Sequence, residues 1–213
     1  MIKLLAADIG FASTGMAIME HSPETGWRYF SSKCLHTEQE HTSRHRNEKT
    51  GKTVKRHLDS VSNDDIRRTE FLAVGIMNYY IENQCKGMAC EIPNGGAQSA
   101  SAIKCMAAAT AMISVVRTVL RCPAIWITPD QSRTAAGWNK QDHIIPKGLP
   151  DNERRKLKAQ RQEELKDTVM ANMGFKYPAI VDLHKCDMEH IADALATFEA
   201  ARGRDVVKQL EMQ

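Results

Sequence analysis

Leu4-Leu5-Ala6-Ala7-Asp8-Ile9-Gly10-Phe11-Ala12-Ser13-Thr14-Gly15-Met16-Ala17-Ile18 is the stretch that decides the fold. An apolar run bounded by glycine suits a buried strand, and it places one carboxylate, Asp8, where that strand ends. Gly10 and Gly15, around Ala12, Ser13 and Thr14, allow a tight reversal into a second apolar strand, Gly15 to Met19, with backbone close beside the acid. An ionised carboxylate at the end of a core strand is tolerable only with a cation or hydrogen bonds to compensate it. Asp8 therefore either accepts backbone N–H groups in the turn or faces a metal ion.

Working outward, Trp27 to Leu35 alternates as a third strand, giving an antiparallel trio over residues 2 to 35. His36 to Ser62 is polar, with Thr50-Gly51 as a turn signal, and reads as a long excursion shaped as a two-stranded finger. A helix is expected from Asp64, capped by Asn63 or Asp64, with Ile66, Ala73, Val74, Met77, Tyr80 and Ile81 as its apolar face. Gly87 to Ile92 is a short buried strand that again ends on a single acid, Glu91, before Pro93. Ala97 to Arg121 follows as a long helix nearly free of charge, which must be covered on more than one side, by the domain or by another subunit. Its alanines at 107, 108, 109 and 111 would permit another helix to approach closely. Pro123 to Thr128 is a fifth strand, and Pro129-Asp130-Gln131-Ser132-Arg133 starts a short helix. After a Gly- and Pro-punctuated loop from Gly137 to Asn152, a charged helix runs to Met173 and Gly174 stops it. A linker, Phe175 to Lys185, leads to a last helix near Met188 to Ala201 and a charged tail.

The 213 residues, 42% hydrophobic and 26% charged, describe an ordinary globular chain, with no apolar run expected to span a membrane and no secretory pattern at the start. A cytoplasmic protein is expected. Six cysteines without a C-x-x-C pair read as reduced thiols. Cys34, His36, His41 and His45 could hold zinc, but their spacing matches no common zinc module, and solvated histidines beside a basic loop are the simpler reading. The formal net charge is +3, yet the fourteen residues from Arg44 to His57 alone carry +5, from Arg44, Arg46, Lys49, Lys52, Lys55 and Arg56 against Glu48. Such an excess reads as a phosphate-contacting arm.

His190 and Asp193 are three apart on the last helix and so share one face, with Ile191, Ala194, Leu195 and Phe198 on the apolar side. Asp8, Glu91, His190 and Asp193 are then expected to converge from separate elements. Carboxylates gathered in this way repel one another unless a divalent cation neutralises them, and oxygen-rich ligands favour Mg²⁺, with Mn²⁺ able to substitute. Two such ions about 4 Å apart form a clamp used for phosphodiester cleavage.

With these motifs in place, the chain resembles the RuvC Holliday junction resolvases, of the ribonuclease-H-like superfamily, and looks like a phage-type member. The resemblance rests on Asp8-Ile-Gly10 with Gly15, on Glu91 before a long helix, on Thr128-Pro129-Asp130-Gln131-Ser132-Arg133, and on His190-Ile-Ala-Asp193-Ala-Leu-Ala. It implies an α/β fold with a mixed five-stranded sheet, three antiparallel strands then two parallel, flanked by helices. The domain would be single, over residues 1–213, with a basic insertion at about 36–62 and a loop insertion at about 137–156. It also implies a homodimeric, Mg²⁺-dependent endodeoxyribonuclease, with two ions per site, that nicks four-way or other branched DNA symmetrically in a bacterial or phage-infected cell. Asp8, Glu91, His190 and Asp193 correspond to its metal ligands, and Arg133 and Lys158 to basic residues near the scissile phosphate. A two-fold protein suits a junction of near two-fold symmetry.

Asn94 departs from the family, where bacterial members usually carry an aromatic residue, so contacts at the junction centre are open. Other readings are a ribonuclease-H-like nuclease of different substrate choice, a non-catalytic junction-binding protein, and a sugar-kinase or actin-like ATPase. The last also begins Asp-x-Gly but needs a second glycine-rich phosphate turn and a second domain.

Overall fold

A computed structural model describes residues 1–38, 41–46, 53–57, 61–92, 99–139 and 144–212. Five strands, β1 (Ile2–Ile9), β2 (Ser13–Ser22), β3 (Gly26–His36), β6 (Gly87–Glu91) and β7 (Ala124–Ile127), form one sheet in the order β3-β2-β1-β6-β7. β1 pairs antiparallel with β2 and β2 with β3, while β1–β6 and β6–β7 are parallel. This is the expected mixed sheet of a ribonuclease-H-like α/β architecture. β4 (His41–Arg46) and β5 (Thr53–His57) make a separate antiparallel ribbon, in keeping with a finger inside residues 36 to 62.

The central strand explains the layering. Leu4 to Ala7 are fully buried, and alternate residues serve opposite faces of the sheet. Leu4 and Ala6, with Ala17, Met19 and Ala89, pack under α5 (Lys185–Ala201) and the end of α4 (Asp151–Lys176). Leu5, Ala7 and Ile9, with Met88 and Cys90, pack against α1 (Val61–Glu82) and α2 (Ala100–Leu120). Asp8 and Glu91 therefore continue the rows that face α5.

The turn after Asp8 is fixed by a buried cation. Thr37 donates its N–H to Ala12 O (2.8 Å) and its hydroxyl to Phe11 O (2.7 Å), while Arg68 donates to both Thr37 Oγ1 (3.1 Å) and Phe11 O (3.3 Å). The same guanidinium lies 4.3 Å from the centre of the Phe11 ring.

Several sequence expectations need correction. α1 starts at Val61, so Asn63 and Asp64 lie within it rather than capping it. Its buried side is Asp64, Arg68, Leu72, Ile76, Tyr79 and Tyr80, whereas Ile66, Val74 and Ile81 are exposed. Arg68 takes an inward position at the turn of β1 and β2, and Asp64, one helical turn earlier, is buried and pairs with Arg67. α2 is not enclosed: Ala109, Met112, Ile113 and Val116 are buried, while Ile103, Val115 and Val119 are more than half exposed. By length and composition Ala102–Leu120 could also cross a membrane, contrary to expectation. Gly174 does not stop α4, which continues to Lys176. The small residue instead lets Met188 and Val181 pack within about 3.3 Å of where a Cβ would sit. The charged tail forms α6 (Asp205–Glu211), which buries Val207 and Leu210 and accepts a 2.6 Å hydrogen bond from the Trp27 indole at Glu211.

Backbone meets backbone at Gly15. A Cβ there would lie 2.0 Å from the His190 carbonyl oxygen and 2.3 Å from its carbon, so only glycine lets α5 rest on β2. Gly15→Ala is expected to displace α5 and destabilise the fold by on the order of 1–3 kcal/mol, read as a lower urea midpoint at unchanged slope.

Candidate active site

One line of residues runs across the sheet at the height of Asp8. The register pairs Cys34 with Gly15, Gly15 with Asp8, Asp8 with Glu91, and Glu91 with Ile127. Neighbouring strands lie about 4.8 Å apart, so the backbone holds the Asp8 and Glu91 carboxylates side by side on the α5 face. α5 supplies the rest. Seated on Gly15, it brings His190 Nδ1 to 3.7 Å from Asp8 Oδ2, and Asp193 follows one turn later on the same helical face.

The electrostatics of the four residues are those of a crowded anionic pocket. Burial, then the charge of Asp8, pushes Glu91 up to about 7, against the opposing pull of Ser132, Arg133 and Thr197. Asp193 is raised well above the ordinary carboxylate range by burial, then by Asp8, Glu91 and Glu189, with Arg133 again opposing. Of the described residues, no three among Asp8, Glu91, His190 and Asp193 bring their donor atoms within 4.8 Å of one another.

A short helix positions the opposing groups. Thr128 ends β7 and caps α3 (Pro129–Ala135), accepting from Gln131 N while the Gln131 side chain accepts from Thr128 N (3.0 Å). This capping box sets the rotation of α3, so the buried Ser132 and the neighbouring Arg133 meet Glu91. The motif was legible as a helix start, but the roles of Ser132 and Thr197 as hydroxyl partners of Glu91 were not, since nothing in their spacing ties them to a strand 40 or more residues earlier.

The other expected phosphate contacts fall in two places. Lys158 and Arg133 line one cleft of about 330 Å³ together with Trp138, Arg161 and Leu165. A second cleft of about 580 Å³ shares Lys158 and adds Lys147, Arg154 and Arg155, so the loop after residue 144 and the start of α4 form a basic trough beside Arg133. On the ribbon, the register sets Arg44 opposite Lys55 and Ser43 opposite Arg56, with Arg46 two residues on. Lys49 and Lys52 lie outside the described residues, as does Asn94.

The cysteines are free, as expected, but their settings differ. Cys85, Cys90 and Cys122 are buried, Cys34 and Cys105 partly so, and Cys186 is exposed. The side chains of His41 and His45 lie outside the described residues. Among the described residues, Cys34 and His36 form a potential metal-coordinating cluster with Asp187 of α5. Their donor atoms all lie within 4.8 Å of one another, and His36 Nε2 meets Asp187 Oδ1 at 2.6 Å. Burial, then the charge of Asp187, pushes the Cys34 thiol up to about 12.

No protein-family model and no curated protein matches the sequence. By structure the chain is similar to Thermus thermophilus RuvC. Against RuvC in complex with a Holliday junction substrate the TM-score is 0.56 at 14% identity, over 94% of this chain and 92% of that one. A second RuvC structure from the same organism gives 0.53 at 12% identity, over 93% and 92%. At these identities the likeness is one of fold: the fold of the chain resembles that of RuvC.

Proposed function

We propose that this protein is a structure-selective endodeoxyribonuclease that cuts four-way or other branched DNA with Mg²⁺. The observation that carries the reading is the convergence of Asp8, Glu91 and Asp193 from three separate elements, with the proton affinity of Glu91 and Asp193 raised by burial and then by the neighbouring carboxylates. A scaffold gains nothing from acids buried together, whereas a divalent cation makes them favourable neighbours. The donor set fits magnesium, being rich in oxygen, with His190 at its edge. Asp8, Glu91, Asp193 and His190 would hold it. When bound, it supplies the positive charge that neutralises the acids and polarises a phosphodiester. The similarity to a RuvC bound to a Holliday junction favours branched DNA as the substrate.

The protein's own residues would do the positioning. Arg133 sits where it already offsets the charge of Glu91 and Asp193, so a phosphate entering from the basic trough meets a guanidinium first. Lys158 extends that path outward, and the basic segment of the sequence with Arg44, Arg46, Lys49, Lys52, Lys55 and Arg56 supplies a second contact on the duplex arms. The working form would be a homodimer. Ile66, Phe71, Val74 and Ile81 on α1, with Ile103, Val115 and Val119 on α2, expose apolar surface on the side of the sheet away from the acids. A second copy covering it would leave both sites open to one junction.

Asp8→Asn, Glu91→Gln and Asp193→Asn are each expected to reduce Mg²⁺-dependent cutting of a synthetic four-way junction by roughly a hundredfold or more while binding persists. Full cleavage by any of them would refute the assignment. Joint neutralisation of Lys49, Lys52 and Lys55 is expected to weaken DNA binding and to flatten its log–log salt dependence by about 0.9 for each phosphate that is no longer neutralised. An unchanged slope removes the ribbon from the interface.

Glu91 also sets a pH dependence of stability. Its folded value of about 7 lies above the ordinary 4.5, so the folded state holds the extra proton between these limits. Stability is then greatest below about 4.5 and is lost as pH rises through 7, by on the order of 3 kcal/mol, with Asp193 acting in the same direction. Urea unfolding without divalent metal should show this decline. Glu91→Gln should shrink it, and Mg²⁺ should stabilise the protein more at pH 8 than at pH 5.

A further inference from the structure

We propose that Cys34, His36 and Asp187 form a second metal site, distinct from the acidic one and selective for a zinc-class ion. Cys34 and His36 are two apart on β3 and so present their side chains on the same face, towards α5. Asp187 comes from the first turn of α5, so the three donors bridge an outer strand of the sheet and the helix that carries His190 and Asp193. Donor atoms already within 4.8 Å need only small side-chain rotations to reach the roughly 3.5 Å separations that tetrahedral zinc imposes.

The imidazole is prepared for such a role. Its Nδ1 pairs with Ser13 Oγ at 3.0 Å, and Ser13 is the residue opposite His36 in the strand register. That partner fixes the ring and leaves Nε2 as the ligand atom, the arrangement usual for metal-bound histidine. One thiolate and one imidazole select zinc over magnesium, whose hard, hydrated ion avoids sulfur. His36 is exposed and the other two are partly so, which leaves an entry path and an open fourth position for solvent.

Binding is a proton exchange. The incoming M²⁺ replaces the proton on Cys34 Sγ, which leaves to solvent; the proton shared by His36 Nε2 and Asp187 Oδ1 moves to His36 Nδ1, where Ser13 Oγ accepts it, so that Nε2 and Oδ1 are both freed for the metal, and no redox change is involved. Occupancy would tie β3 to the amino-terminal turn of α5. The His36 and His190 rings are 6.1 Å apart, centre to centre, so this tie acts directly beside the acidic pocket.

The test uses chelator-stripped full-length protein titrated with Co²⁺ and then with Zn²⁺, with no DNA present. One Co²⁺ per chain, with a thiolate-to-cobalt charge-transfer band displaced by one equivalent of Zn²⁺ and about one proton released per ion, is the expected result. Cys34→Ser should abolish the band, and Asp187→Asn should weaken binding at least tenfold. Asp8→Asn, Glu91→Gln and Cys186→Ser should leave the band in place. Absence of the band in the unaltered protein, its survival in Cys34→Ser, or its loss with Asp8→Asn or Cys186→Ser would overturn the proposal. None of these readouts depends on cleavage, so the site stands or falls apart from the nuclease reading.

Discussion

The backbone of α5 lies directly on the backbone of β2 at Gly15, and most of the chemistry of this protein follows from that contact. A helix normally stands about 10 Å from a sheet, because side chains intervene. Here the missing Cβ admits the His190 carbonyl to the strand, and the helix turns that bear His190 and Asp193 drop to the level of Asp8 and Glu91. The alanines of α5, buried at 192, 194, 196 and 201, keep the rest of the helix equally low. Packing of small residues thus does what a flexible loop could not: it holds mutually repelling groups at fixed spacing.

That spacing is costly, and the fold distributes the cost. Parallel pairing of β1 and β6 brings two acids into register, and neither strand can slip without moving a continuous buried row to the wrong face. Ser132, Thr197 and Arg133 offset part of the charge on Glu91, and Arg68 secures the turn that follows Asp8 without touching the pocket itself. The remaining imbalance is stored as raised proton affinity in Glu91 and Asp193. An ion could release it.

Sequence reading recovered what local chemistry dictates and missed what distant packing decides. β1, the turn and β2 were legible because an apolar run, one acid and two glycines admit few arrangements, and the acid ending β6 stood out by the same logic. Two-residue alternation then fixed which face each acid occupies. α1 misled because Ile66, Val74 and Ile81 of its apolar stripe are exposed, while Arg68 faces inward to serve the turn between β1 and β2. Nothing within a helix reports that its inward neighbour is a set of backbone carbonyls. Nor does spacing reveal that Cys34 and His36 meet Asp187, which lies 151 positions from His36. Gly174 and the tail failed for a related reason: Met188, Val181 and the floor beneath Leu210 are tertiary facts.

The two faces of the sheet divide the work. The α5 face carries, in order across the strands, the sulfur and nitrogen donors at β3, the acids at β1 and β6, and the guanidinium of Arg133 beyond β7, with the basic trough behind it. Softness of donor and sign of charge therefore both change along a single line. The α1 and α2 face exposes apolar side chains such as Ile66, Val74, Val115 and Val119 beside charged ones, Lys104 and Asp65 pairing across the two helices. Association through that face would bury hydrocarbon without desolvating any of the acids, and catalysis and assembly would then draw on separate sides of one sheet.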